Sequence, residues 1–222
     1  MGFYEGKNVL ITGGAGFIGS NLAEALVNRG AHVRVVDSLT RGKLEFLANV
    51  RDEIEFMNLN LQDFEDAKKA VKMQEVVFHL AALVGGIDWL LRKQSNIAWI
   101  NGVMDQNMIR AAVEAGVERL MDTSTACVYG KEAPLPCKEE DAGGTYDSMY
   151  GRTKHYFEFV LKEYMKDYGI KIAIVRCFNV YGPKESFDRD NSHVIPALIH
   201  KAVDRDNPFV VFGTGEQARS FI

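Results

Sequence analysis

The chain of 222 residues is 47% hydrophobic and 25% charged, which suffices for one substantial core and is typical of a globular protein. Its net charge is −4, and it lacks a dense block of Lys and Arg, which argues against nucleic acid or an anionic membrane surface as a partner. Because no apolar run is long enough to cross a bilayer, we expect neither a membrane nor nucleic acid among its partners.

Strand-like and helix-like segments alternate along the chain. In chain order, the predicted strands are residues 8–12, 32–37, 54–59, 76–82, 119–125 and 171–178, and the predicted helices are residues 15–29, 43–47, 63–71, 97–114 and 150–168. The strands are apolar almost throughout, as expected when helices cover both faces of a sheet. The alternation therefore predicts an α/β fold with a doubly wound parallel sheet. Residues 131–147, rich in Pro and Gly, predict a long loop before the last helix.

The turn after the first strand has the features of a dinucleotide site. The sequence TGGAGFIGS places Gly13, Gly16 and Gly19 between a predicted strand and a predicted helix. Such glycines let the backbone approach a diphosphate, which then lies at the N-terminus of the next helix. Asp37 closes the second strand, where its carboxylate can accept hydrogen bonds from a ribose diol and would repel a 2′-phosphate. Although Arg41 nearby could weaken that repulsion, the pattern favours NAD over NADP.

A second motif, YGRTK, begins the last predicted helix. One helical turn separates Tyr150 from Lys154, so both side chains lie on the same face of the helix. The ammonium group can stabilise a phenolate there and lower the pKa of Tyr150 towards neutral pH. Because such a pair is common in helices, its meaning depends on the other motifs of the chain.

Together the motifs resemble those of the extended short-chain dehydrogenase/reductase family, which includes the NAD-dependent nucleotide-sugar epimerases and dehydratases. The resemblance rests on TGGAGFIGS, HLAA, TSTACVYG, YGRTK, RCFNVYGP and VFGTGEQARSFI, which follow in this order. It implies a Rossmann domain over residues 1–176 that binds NAD and carries the catalytic residues, and the start of a substrate-binding portion over residues 177–222. Family members continue for about another small domain, so the chain is either a fragment of a longer enzyme or has a half-built substrate pocket.

The resemblance also implies roles for individual residues. Thr125 would orient the reacting oxygen of the substrate, Tyr150 would act as the base, and Lys154 would support Tyr150 and contact the ribose. Asn179 and Arg219 match positions that bind the substrate phosphates, although the residue after Arg219 departs from the frequent Arg-Asp pair. Besides Tyr150 and Lys154, the positions implied to line the cofactor are Gly13, Gly16, Phe17, Ile18, Gly19, Asp37, Asn60, Leu61, Ala81, Ala82 and Asn101.

Cys127 narrows the choice of reaction. A dehydratase of the family carries an Asp-Glu pair where this chain has Ala126 and Cys127, so the resemblance disfavours dehydration. Residues 84–87 and 191–198 resemble GDP-L-fucose synthase, and Cys127 resembles GDP-mannose 3,5-epimerase as well. In such enzymes this cysteine, and in the first a histidine at the position of His193, exchange protons beside a sugar ketone. Alternatively Cys127 fills an apolar gap and His193 caps a helix, since UDP-glucose 4-epimerases do without either group.

The sequence therefore predicts an NAD-dependent nucleotide-sugar epimerase that inverts C4, or C3 and C5, of a UDP- or GDP-sugar through a transient 4-keto hexose. Two alternatives stay open, an NADPH-dependent reductase of the GDP-L-fucose synthase type, which Asp37 disfavours, and a non-catalytic dinucleotide-binding sensor or scaffold. The helices of residues 97–114 and 150–168 resemble the dimer-forming pair of the family, which predicts a homodimer. Three cysteines without metal-ligand spacing, and an N-terminus without a signal core, predict reduced thiols, no metal and a cytoplasmic location.

Overall fold

The computed structural model describes residues 2–130, 132–187, 192–211, 213–215, 218 and 220–222, without the side chains of residues 87–89. The strands are β1 (Asn8–Thr12), β2 (His32–Asp37), β3 (Ile54–Asn58), β4 (Val76–His79), β5 (Arg119–Thr125) and β6 (Lys171–Cys177). The α-helices are α1 (Phe17–Val27), α2 (Phe64–Val71), α3 (Ile87–Arg92), α4 (Gln94–Glu114), α5 (Met149–Tyr168) and α6 (Val194–Val203), and 3-10 helices lie at Leu44–Val50, Ala126–Val128 and Glu139–Asp141. In this described part of the chain, no helix is both long and apolar enough to span a membrane.

The six strands form one parallel sheet in the order β3-β2-β1-β4-β5-β6. This is the doubly wound Rossmann order, in which the direction of winding reverses between β1 and β4. Thr12 and His79, the last residues of these two strands, are register partners. The crevice beyond them, at the carboxyl edge of the sheet, is where folds of this kind bind dinucleotides. The predicted fold class is confirmed.

The apolar strands supply hydrophobic cores on both faces of the sheet. Leu10 packs in one cluster with Met108 of α4, whereas Val9 and Ile11 pack in the other with Leu26 of α1. Successive side chains of a strand point to opposite faces, so β1 contributes to both cores. This two-sided burial is the reason that the strands lack an alternation of polar and apolar residues.

The predicted strands and helices are present, with shifted ends and additions. The strand predicted to reach residue 82 ends at His79, because Leu80 and Ala81 turn and direct their N–H groups at the hydroxyl of Thr12. The structure adds α3, α6 and the 3-10 helix Ala126–Val128, which the sequence did not predict.

The segment after β6 returns to the sheet at α1. The carbonyl oxygen of Pro183 accepts a hydrogen bond from Nδ2 of Asn21 at 3.0 Å, and Nζ of Lys184 lies 2.6 Å from Oε1 of Glu24. These contacts place the segment beside the middle of α1. The division into domains at residue 176 stays a prediction.

Candidate active site

The glycine turn packs without room for side chains. Gly13 has a φ of +66°, and a Cβ atom there would lie 2.9 Å from Cα of Ala81. A Cβ atom at Gly19 would lie 2.4 Å from the carbonyl oxygen of Gly13. Helix α1, described along its whole length, begins after Gly16 with no side-chain cap and no acidic residue in its first turn. The free N–H groups of that turn, with Phe17 first, therefore fit the diphosphate of a dinucleotide.

Asp37 ends β2 beside this turn. Its Oδ2 accepts the N–H of Ala15 at 3.1 Å, and its Oδ1 accepts the N–H of Leu39 at 2.8 Å. Burial raises the pKa of the Asp37 carboxyl, and the two N–H groups offset only part of that rise. Each oxygen keeps a second lone pair for a ribose hydroxyl. The side chain of Arg41 donates to the carbonyl oxygen of Val84, so this hydrogen bond directs the guanidinium towards the loop after β4.

Other predicted cofactor positions have partners within the protein. Asn60 is exposed, and its Oδ1 accepts the backbone N–H two residues further on at 3.1 Å. Leu61 is buried in the core. Asn101 is fully buried and clamps the residue after Ala82, because its amide accepts the N–H of Leu83 at 2.6 Å and donates to the carbonyl of Leu83 at 3.1 Å. Asn101 therefore shapes the crevice through the loop that it holds.

Thr125, Tyr150 and Lys154 are placed by β5 and by the start of α5. Thr125 is the last residue of β5, and its Oγ1 accepts the N–H of Cys127 at 3.1 Å, so its hydroxyl hydrogen remains available for donation. Ser148 caps α5 through its side-chain oxygen, which satisfies an N–H group of the first turn. Tyr150 therefore lies in the first turn of α5 and Lys154 one turn later.

The start of α5 touches the turn that follows Thr125. A Cβ atom on Gly151 would lie 2.2 Å from the carbonyl oxygen of Cys127 and 3.0 Å from its Cβ. Only glycine permits this approach, so Tyr150 is held beside the segment that carries Thr125 and Cys127. The sequence analysis missed this contact, although a glycine in the first turn of a helix is an available signal.

The pKa of Tyr150 depends on the burial of its side chain and on the charged residues near it. Tyr150 is 8% exposed and packs against Leu90 and Ile97. Burial raises the pKa of its phenol to about 12, and the ammonium of Lys154 opposes that rise. Lys154 is 2% exposed, and its Nζ lies 3.1 Å from Oδ1 of Asp105. Burial alone would lower the pKa of Lys154, but the charges of Asp105, Asp122 and Tyr150 and the hydrogen bond to Asp105 together outweigh it and raise that pKa. Lys154 is therefore a cation at neutral pH.

Cys127 is exposed, so it does not fill an apolar gap. It lies against the first turn of α5 through the close approach of Gly151. An electrostatic interaction with Cys127 is among the causes that raise the pKa of Tyr150. Cys127 therefore lies at the accessible side of the site, in electrostatic contact with the phenol.

His193 lies at the N-cap position of α6, but its side chain does not cap the helix. Its Nδ1 lies 2.8 Å from Oε1 of Glu185, a residue that is 8% exposed. The carbonyl oxygen of Ser192 lies 3.3 Å from the place that a Cβ atom on Gly86 would take. His193 is thus next to the loop after β4, and its contact with Glu185 is a second feature that the sequence analysis missed.

Asn179, one of the two predicted phosphate-binding positions, contacts the end of the chain. Nδ2 of Asn179 donates to the carbonyl oxygen of Ser220 at 2.8 Å, and Asn179 forms a bridge with Phe221. The segment after β6 therefore lies beside the last motif of the sequence. Arg219 lies outside the described residues.

A buried ion pair supports the strand that carries Thr125. The carboxylate of Glu158, a residue that is 2% exposed, accepts a hydrogen bond from Oγ of Ser124 at 2.5 Å. It also accepts Nε and Nη2 of Arg176 at 2.9 and 2.6 Å. Burial alone would raise the pKa of Glu158, but Arg176 and Ser124 outweigh it and lower that pKa. This ion pair joins α5 to β5 and β6 beneath the site.

Comparisons with known proteins agree with this geometry. Residues 9–222 match the family described as NAD dependent epimerase/dehydratase. UDP-N-acetyl-alpha-D-glucosaminuronate decarboxylase from Bacillus cytotoxicus is 35% identical over 224 residues, which cover 97% of this chain and 67% of that protein. GDP-mannose 3,5-epimerase 1 from Oryza sativa subsp. indica is 32% identical over 222 residues, which cover 98% of this chain and 58% of that protein.

A solved structure also has a closely similar fold. UDP-N-acetylglucosamine 4-epimerase from Methanobrevibacter ruminantium M1, in complex with UDP-N-acetylmuramic acid, superposes with a TM-score of 0.90 at 32% identity. The match covers 98% of this chain and 69% of that chain. This chain therefore spans between 58% and 69% of the length of the three relatives named here.

Proposed function

The chain belongs to the NAD-dependent epimerase/dehydratase family, and we propose that it is a nucleotide-sugar epimerase that works through a transient 4-keto hexose. The observation that best supports this reaction is the placement of Thr125, Tyr150 and Lys154 at the carboxyl edge of the sheet, where the glycine turn also lies. Bound NAD would supply the hydride acceptor and donor. The family relatives include epimerases that act on UDP- and GDP-sugars.

The three side chains have complementary tasks in this reaction. The hydroxyl of Thr125 donates to the C4 oxygen of the sugar and fixes its position. The phenolate oxygen of Tyr150 takes the proton of the C4 hydroxyl and becomes a phenol, and the ammonium of Lys154 stabilises the phenolate that must be present before this transfer. Tyr150→Phe should therefore abolish reduction of the cofactor by the sugar while binding of NAD is retained, which absorbance and calorimetry measure separately. Cofactor reduction in Tyr150→Phe at the wild-type rate would reject Tyr150 as the base.

A ketone at C4 acidifies the hydrogens on C3 and C5, and Cys127 is the candidate to exchange them. Its thiol is exposed beside the first turn of α5, so it can reach a sugar bound over Tyr150. His193, with its Nδ1 held by Glu185, is the candidate partner on the other side of the ring. Inversion at C3 or C5 requires such a pair of proton donors and acceptors, whereas inversion at C4 alone does not.

Deuterium exchange distinguishes these two outcomes. Cys127→Ser should lower incorporation of solvent deuterium at C3 or C5 of a GDP- or UDP-hexose by about 10²- to 10⁴-fold, as expected for loss of an acid/base group. Cys137→Ser, a matched change in the loop before α5, should leave exchange unchanged. If the wild-type protein inverts C4 without any exchange at C3 and C5, the protein is a simple 4-epimerase and Cys127 has no acid/base role.

The pair of His193 and Glu185 favours a second candidate, a reductase that epimerises a 4-keto sugar and then reduces it with NADPH. Hydrogen bonding of Nδ1 to a carboxylate leaves Nε2 as the proton acceptor that such a reaction uses. Asp37 argues against this candidate, because its carboxylate would repel a 2′-phosphate. Stoichiometric consumption of NADPH with a GDP-4-keto-6-deoxyhexose would establish the reductase and reject the epimerase.

We propose further that the protein is a homodimer joined through α4 and α5. These helices expose Trp99, Tyr156 and Phe159, whose accessible fractions are 63%, 58% and 55%. Large exposed aromatic side chains on neighbouring helices are typical of protein interfaces. Sedimentation at micromolar concentration should show a dimer that Trp99→Lys dissociates and that Leu135→Lys, a matched change in a loop, leaves intact. A wild-type monomer would reject the interface.

A further inference from the structure

Two aspartates lie in the core beneath Lys154. Asp105 of α4 is 0% exposed and Asp122 of β5 is 1% exposed. One carboxylate oxygen of each and a ring nitrogen of His79 lie within 4.8 Å of one another. Oδ2 of Asp105 and Oδ1 of Asp122 have no hydrogen-bond partner among the described residues. An ionised oxygen that is buried without a hydrogen-bond partner is strongly unfavourable.

The hydrogen bonds of Thr12 determine which ring nitrogen of His79 donates to Asp105. Oγ1 of Thr12 accepts a hydrogen bond from the N–H of Ala81 at 3.2 Å, and it shares the N–H of Leu80 with the carbonyl oxygen of Thr12. The hydroxyl hydrogen of Thr12 can therefore be donated to Nδ1 of His79, 2.7 Å away. A ring whose Nδ1 accepts carries its proton on Nε2. Nε2 then donates to Oδ1 of Asp105 at 3.1 Å. His79 therefore contributes a hydrogen bond to the aspartate.

The charges that face the two aspartates do not balance if both carboxyls are ionised. The cation at this place is Lys154, whose Nζ contacts Oδ1 of Asp105 at 3.1 Å. Glu158 faces Asp122 from α5 with a further negative charge, and Arg176 neutralises it at 2.6 Å. One ammonium thus meets two buried carboxyls. Like charges held this close do not both ionise.

We propose that Asp105 and Asp122 carry one proton between them, and that the single negative charge of this carboxyl pair positions the ammonium of Lys154 beside Tyr150. The proton resides on Asp122, because Asp105 has donors in His79 and Lys154 and Oδ1 of Asp122 has none. Burial raises the pKa of Asp122. Burial alone would also raise that of Asp105, but Lys154 and His79 lower it below its ordinary value.

The carboxyl pair also affects the reaction, and this effect rests on the proposed function. The inference that the two carboxyls share a proton does not rest on it. If Asp105 loses its charge, Asp122 can ionise and replace it as the counter-charge of Lys154. If both lose their charge, a fully buried ammonium has no counter-ion, and its pKa falls until it releases its proton. Tyr150 then lacks the neighbouring cation that stabilises its phenolate. Asp105 and Asp122 are thus positioning residues that act through Lys154.

Infrared difference spectroscopy detects the proton without any assay of activity. At neutral pH, wild type minus Asp122→Asn should show the carbonyl band of one protonated carboxyl group. Wild type minus Asp105→Asn should show the same band, because Asp122 ionises once the charge of Asp105 is removed. Asp63→Asn, a matched change at the exposed cap of α2 where Asn also caps well, should give no such band. Asp105→Leu, with an apolar side chain suited to the core, replaces Asp105→Asn if that variant does not fold.

Two infrared outcomes overturn the proposal. Absence of the band in the first difference spectrum would mean that Asp122 is ionised at neutral pH. A band that disappears with Asp122→Asn but persists in full with Asp105→Asn would mean that burial alone protonates Asp122, so the two carboxyls do not share a proton. Neither result depends on which sugar nucleotide the protein uses.

The positioning role is tested by the pH dependence of cofactor reduction. Asp105→Asn and Asp122→Asn should each keep the rate within about 3-fold, whereas the double variant should lose roughly 10²-fold or more. Its acid limb should move to higher pH by roughly one unit or more, because Tyr150 no longer faces a cation. A double variant that resembles the single variants, or an acid limb that moves to lower pH, would show that Lys154 needs neither carboxyl and would refute the role. Failure of the proposed reaction removes this assay but leaves the infrared result decisive.

Discussion

Gly151 offers a stringent test of how the site is assembled. In Gly151→Ala the new Cβ atom would meet the carbonyl oxygen of Cys127 at 2.2 Å, roughly 1 Å inside any contact that real Cβ atoms make. The obstacle is backbone, so the start of α5 must move. Overpacking of this kind costs about 1–3 kcal/mol, and the higher helix propensity of alanine returns at most about 1 kcal/mol. A shift of about 1 Å in Tyr150 should lower the reaction rate by about 10²-fold.

Gly102→Ala is the matched control, because it makes the same change within α4. The nearest heavy atom to its Cβ would be Cγ2 of Thr153 at 4.0 Å, an ordinary contact, so the propensity gain should appear alone. The difference in unfolding free energy between the two variants, measured by urea denaturation, should therefore be about 1–3 kcal/mol. If Gly151→Ala is as stable as Gly102→Ala and reduces bound cofactor at the wild-type rate, the close approach does not position Tyr150.

Two further predictions concern the cofactor and the pH dependence of stability. Asp37→Ala should weaken NAD binding and relax the rejection of NADP in titration calorimetry, and a wild-type protein that prefers NADP would contradict the role of Asp37. Glu158→Gln should lower the unfolding free energy by about 3–5 kcal/mol at neutral pH, because it leaves Arg176 half of a buried pair. Since the pKa of Glu158 is lowered in the folded state, its contribution is present above the unfolded pKa of about 4.3 and is lost as pH falls through the folded value. Urea titrations from neutral to acidic pH should show the difference from wild type shrinking at the acidic end, and a difference independent of pH would contradict the ion pair.

The fold was predictable where burial and local geometry give the same signal. The four inner strands β2, β1, β4 and β5 are short runs rich in buried residues between turns, as is typical of a parallel sheet covered on both faces. The two helices that the sequence analysis missed carry conflicting signals. Helix α3 follows Gly85 and Gly86, which predict a loop, and α6 contains Pro196 in its first turn, where proline is tolerated although it usually marks a helix end.

The only features of the candidate site that the sequence could predict are those that depend on local sequence patterns. Glycine spacing and the helical spacing of Tyr150 and Lys154 are local patterns, and the structure places both at the carboxyl edge of the sheet. The contacts that surround Lys154 join residues distant in sequence, and no spacing rule relates them. One signal was nevertheless present. Asp105 lies between Asn101 and Ile109 at intervals of four residues, on the buried face of α4, and an acid on such a face requires a partner.

The hydrogen bonds of Asp105 link the glycine turn to α5. Thr12, the residue before Gly13, donates to His79, and His79 donates to Asp105, which also accepts Lys154. The hydrogen bond from Thr12 fixes the direction of the next one. Thr12 has one hydroxyl hydrogen to donate, and a His79 ring whose Nδ1 accepts it donates from Nε2. Removing the hydroxyl of Thr12 would free Nδ1 of His79 to carry the proton instead. Asp105 would then lose a donor and rely on Lys154 alone. The residue before the glycine turn therefore governs the hydrogen bonding of the carboxylate that contacts Lys154.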